Sequence, residues 1–141
     1  MPKQMLAPAC VLVLWTLVML VWLAVSRLPA LQKLGGIGGA KPGGRGQDLE
    51  GVLPDVINWK SHNYSHLLEQ PTLFYTVSLI LATTGANATD VRLAWAYVGL
   101  RVMHSLWQAL RNTLPVRFSL FVVSSLILLV LGVRAAMITL G

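Results

Sequence analysis

Apolar residues fall into four runs of about twenty, divided by two very short polar breaks and one long glycine-rich one. No run alternates apolar with polar as a half-buried strand would, and each is long enough to cross a hydrocarbon core as a helix. The runs are placed at about 6–26, 62–86, 90–111 and 115–139. Arg27 and Pro29 are expected to close the first. Its apolar stretch is too long for a signal-peptide core and no small-residue cleavage site follows, so a retained helix is expected. Asp90 is placed to cap the third run. Pro115 suits a first helical position in the fourth.

Composition excludes an ordinary soluble domain: 55% of residues are hydrophobic and 11% charged. The 141 residues make a single domain. Cys10 is the only cysteine, so no disulfide framework forms within the chain, and it is expected to be a buried, inert side chain. The net charge of +6 does not point to nucleic acid, because the basic residues flank apolar runs and form no patch.

Residues 87–89 and 112–114 only reverse the chain, so the last three spans are antiparallel neighbours. The segment 28–60 is long, polar and flexible by composition. Lys33, Lys41, Arg45 and Lys60 lie in it, and Arg111 and Arg117 flank the turn on the same side; Lys3 and Arg92 lie on the other. The positive-inside rule places the long loop in the cytoplasm and both termini outside. The loop's glycines do not make a phosphate-binding P-loop, because Ala40 precedes and Pro42 follows the lysine.

Ionisable residues inside the spans point to a site, because each is costly in hydrocarbon unless paired or hydrated. His62, His66 and Glu69 recur at i, i+4 and i+7, and Arg101, His104, Gln108 and Arg111 at i, i+3, i+7 and i+10. Each set shares a helix face. Glu69 lies eight residues from Ser61, about 12 Å in, and Arg101 ten from Arg111, about 15 Å in. Matched depth on antiparallel neighbours predicts that Glu69 and Arg101 come within hydrogen-bonding range of one another or of a shared bound ligand. Arg117, just after Pro115, points into the same cavity. Arg134 is expected to snorkel to the outer interface. The plainer alternative is a buried ion pair that sets helix register, with the histidines as interhelical partners. A metal site on His62 and His66 lacks a third ligand.

Three stretches, His66-Leu-Leu-Glu-Gln-Pro71, Arg101-Val-Met-His104 and Pro115-Val-Arg117, resemble the MAPEG family, the membrane-associated proteins in eicosanoid and glutathione metabolism. The resemblance covers nearly the whole chain. It implies an all-α bundle of four transmembrane helices, assembled as a homotrimer, with glutathione bound between subunits near the cytoplasmic face. It also implies that Glu69 holds the glutathione amine, Arg101 braces Glu69, His104 lines the pocket and Arg117 stabilises the thiolate. Four positions depart from the family pattern. His66 replaces an asparagine, His62 and Ser65 replace arginines that grip glutathione carboxylates, and Gln108 replaces a tyrosine.

Two functions follow as expectations. One is a membrane-embedded glutathione, or related thiol, transferase or peroxidase acting on a lipophilic electrophile from the bilayer. The other is a non-catalytic binding or scaffold protein of the same fold. Arg117 favours the enzyme, since a scaffold has little use for an arginine at the cavity mouth. Compact loops suggest a bacterial inner membrane.

Overall fold

The computed structural model describes residues 2–141 and holds no strand among them. Five helices follow in order: α1 (Pro2–Gln32), α2 (Asp55–Leu67), α3 (Pro71–Thr84), α4 (Ala88–Leu110) and α5 (Leu114–Leu140). The second apolar run is therefore two helices, with residues 68–70 between them. Pro71 explains the break. It has no N–H to donate and its ring collides with the preceding turn, so it begins α3 instead of continuing α2.

α1 does not stop at Arg27 or Pro29 but continues to Gln32, which makes it about 46 Å long. The segment between α1 and α2 is also more ordered than its composition suggests. It contains two single-turn 3-10 helices, Ile37–Gly39 and Gly46–Leu49. Asp48 Oδ2 accepts the Arg45 backbone N–H at 2.8 Å to start the second.

The distribution of apolar side chains is that of a protein dissolved in lipid. α1 and α5 are long and apolar enough to span a membrane, yet only 22% and 17% of their most apolar stretches are buried. Val21, Val25, Leu129 and Met137 are more than half exposed, whereas Arg101, Ser105 and Ser124 are fully buried. Hydrocarbon outside removes the usual penalty on exposed leucine and valine, and polar groups turn inward to find partners.

α4 is the central helix. It packs along α5 and also touches α1 and α2, while α3 lies against α1 and α5. Phe74 of α3 stacks on Tyr97 of α4 with ring centroids 4.4 Å apart. Polar contacts fix helix rotation within this apolar interior. Trp15 Nε1 donates to Ser105 Oγ at 3.0 Å, joining α1 to α4. Tyr97 Oη donates to Gln70 Oε1 at 3.1 Å, and Gln70 Nε2 to Ser125 Oγ at 2.7 Å, joining α4 to α5 through the break before α3.

Two expectations change at the other end of the bundle. Arg134, expected to snorkel to the outer interface, also has a protein partner: its Nε and Nη2 donate to Asp90 Oδ1 and Oδ2, both at 3.0 Å, in a bidentate pair. A planar guanidinium within reach of a carboxylate makes two charge-assisted bonds. Asp90 in turn caps α4 from its third residue, accepting the Asn87 N–H while Asn87 Oδ1 accepts the Asp90 N–H at 2.9 Å. Asn87 is thus the N-cap. Asn87→Ala is expected to destabilise the protein by about 1 kcal/mol, read as a lower thermal midpoint with ligand affinity unchanged. Cys10 is also not buried; it lies on the exposed side of α1.

Candidate functional site

The break before α3 sets the position of the first group of site residues. His62 and His66 lie on α2, and Glu69 lies in the non-helical link. All three line one cleft of about 390 Å³ together with Ser61, Ser65 and Gln108. The i, i+4, i+7 grouping therefore survives, although the last member is not on a continuous helix. His62 pairs with Glu50 of the long connection, and His66 Nδ1 lies 3.1 Å from Glu69 Oε2.

α4 supplies the second group from its buried face: Arg101, His104 and Gln108 are 0%, 3% and 7% exposed. Arg111 departs from this stripe. At the end of α4 it is exposed and lies with its guanidinium carbon 6.0 Å from the Trp107 ring centroid. Arg111 is the C-cap, past the last helical residue Leu110, so it stands beyond the buried face that the helix presents.

His66 and His104 bring the two groups together, their ring centroids 4.8 Å apart. With Gln108 and Arg117 they line a second cleft of about 240 Å³, whose other wall is Leu114, Phe118 and Phe121. The two clefts share His66 and Gln108 and are therefore contiguous. Of the seven predicted site residues, six line one cleft or the other.

Arg101 lies behind them. It does not meet Glu69 within the chain: Nε, Nη1 and Nη2 are buried with no hydrogen-bond partner, while the Glu69 side chain is 68% exposed and bonded to His66. The expected ion pair fails because the chain leaves α2 before Glu69, so matched helical depth no longer places the carboxylate on the α4 side. His104 Nδ1, Gln108 Oε1 and His66 Nε2 are buried without partners in the same region. Buried polar atoms are nearly always bonded, so these four residues leave hydrogen-bonding capacity unused around one pair of clefts.

Asn112 contributes to the site and was not predicted. Its backbone takes φ of 54°, a left-handed conformation that asparagine tolerates, and its Oδ1 accepts Arg117 Nη1. Asparagine in a tight helix–helix turn was the available sequence signal. Phe118 and Phe121 were absorbed into the apolar run, where nothing in the sequence separates a cleft wall from a lipid-facing side chain.

The arrangement presents cations and neutral hydrogen-bonding groups to a polar ligand, a carboxylate at one end and a phenylalanine wall at the other. No curated protein and no solved structure matches the chain. The MAPEG family model matches residues 5–137. That match takes in all four apolar runs and both clefts, and with lipid-facing helices around a polar interior it identifies a membrane protein: the chain belongs to the MAPEG family.

Proposed function

We propose that the protein is a membrane thiol transferase that binds glutathione, or a closely related thiol, and joins it to a lipophilic electrophile entering from the bilayer. Membership of a glutathione-associated membrane family supports the general reading. The observation that supports the specific one is the 240 Å³ cleft, lined by Arg117 together with the apolar side chains of Leu114, Phe118 and Phe121. A fixed cation there favours the ionised sulfur, and the apolar wall accepts the second substrate.

In this reading the glutathione ammonium lies at Glu69 in the adjoining cleft and the thiol reaches Arg117. His104 and Gln108 fill their unused hydrogen-bonding positions on the peptide between. The thiol releases its proton to water, and the sulfur lone pair forms the new bond to the electrophilic carbon. The leaving group departs with the electrons of the bond that breaks. The long connection faces the cytoplasm and the assembly is a homotrimer, completed by the neighbouring copies.

A second reading, a binding protein without catalysis, draws on one feature. Arg117 already bonds Asn112, and Glu69 already bonds His66, so both polar ends are partly satisfied within the chain. Titration of the detergent-purified protein with glutathione separates the two. Thiolate absorbance together with thermal stabilisation is expected for the enzyme. Stabilisation with no thiolate signal would favour the binding protein, and neither signal would remove glutathione from the account.

A further inference from the structure

A further cavity of about 390 Å³ lies at the end of α1, between that helix and the glycine-rich connection, and meets the Glu69 cleft only at Gly46. Three cations line it, Arg27, Lys41 and Arg45, against a single carboxylate, Asp48. That carboxylate is occupied, because Oδ2 accepts the Arg45 N–H at 2.8 Å. Glu50, the other acid nearby, is bonded to His62. The cavity therefore carries a net positive charge, three cations against the one carboxylate that lines it.

Two details show how the cavity is constructed. Arg27 Nε is buried with no partner. Its Nη1 lies so near the connection that a Cβ on Gly46 would stand 2.7 Å away, so the absence of a side chain at Gly46 lets the guanidinium lie against the backbone. Arg27 also follows the largely apolar stretch Leu6–Val25, twenty residues that span about 30 Å. That spacing sets its charge at the level of the lipid headgroups. The surroundings agree, since Leu31, Ile37 and Leu49 line the same cavity and Ile37 is 69% exposed. An anion with an attached hydrocarbon portion satisfies both sets of side chains.

We infer that Arg27, Lys41 and Arg45 form a binding site for a phosphate oxyanion, distinct from the two thiol clefts, and that its occupant is the headgroup of an anionic phospholipid. A free phosphate compound would satisfy the same cations but leave the apolar rim unused. The glycine-rich segment thus acts in anion binding without being a nucleotide loop.

The test uses the whole protein in uncharged detergent, titrated with phosphatidylglycerol, phosphatidylcholine or inorganic phosphate, with bound lipid counted by native mass spectrometry and phosphate binding read by calorimetry. Phosphatidylglycerol is expected to bind well above phosphatidylcholine. At about fivefold per cation near a membrane surface, Lys41→Gln with Arg45→Gln should weaken it about 25-fold, and adding Arg27→Gln about 100-fold. The charge-matched pair Lys3→Gln and Arg92→Gln should leave binding unchanged. Phosphatidylglycerol binding without inorganic phosphate binding assigns the lipid source. Phosphate binding that the triple variant abolishes keeps the oxyanion site and transfers it to a soluble occupant. Equal binding of the two lipids, or equal weakening by both sets of variants, would overturn the site. Saturating glutathione is expected to leave lipid binding unchanged whether or not the thiol reading holds; competition between them would overturn the separation of the sites.

Discussion

Arg117→Leu is expected to lower kcat about 100- to 1,000-fold toward a lipophilic electrophile while leaving the protein folded and its glutathione affinity within a few-fold of wild type. The magnitude is that of removing one preorganised group that stabilises developing or held negative charge. Arg117 is in the first turn of α5 at the rim of its cleft and its recorded partner is the Asn112 side chain, so the fold does not depend on it. Arg117→Lys keeps the charge but loses the planar fork that bonds Asn112 and the sulfur together, and its activity should lie between the two. Thiolate absorbance of the glutathione complex should follow the same order. Equal turnover in all three proteins would sink the assignment. Loss of turnover with an unchanged thiolate signal would move Arg117 from sulfur stabilisation to placement of the electrophile.

Arg101→Met should have the opposite profile, a large loss of binding with no loss of fold. A guanidinium buried without a partner opposes folding of the chain alone, because charge is removed from water and nothing replaces the hydration. Methionine fills similar volume without that cost, so the ligand-free variant should melt no lower than wild type. Glutathione should bind at least about thirtyfold more weakly, a loss of about 2–5 kcal/mol, as when one partner of a buried charged contact is truncated. Combination with Glu69→Gln tests whether both act on one ligand. Less-than-additive losses in affinity are expected if they do. A variant that binds normally but melts much lower would show instead that Arg101 is a structural residue paired by a neighbouring copy.

Much of this protein was legible in its residues, and the limits are equally specific. Glu69 was placed on a helix face with His62 and His66, and that grouping holds because all three remain within three turns of chain. Its pairing with Arg101 does not form in the chain, because one proline ends the helix and the carboxylate turns back to His66. Arg101, His104 and Gln108 share a buried face because their spacing is helical and α4 is unbroken. The partner of Arg134, Asp90, is 44 residues away along the chain, beyond the reach of any helical spacing.

The sequence by itself determined the all-helical class, the hydrocarbon surroundings, the short reversals between the last runs and the family. Apolar run length, turn length and residues three or four apart on one helix are local quantities, readable without knowing what packs where. Only the tertiary structure decided that α2 and α3 are separate helices, that Phe118 and Phe121 wall a cleft, that Asn112 holds Arg117, and that three cations meet around the end of α1. Each depends on the rotation of one helix against another or on the path of a connection. Those are set by packing between residues far apart in the chain, which no periodicity along it records.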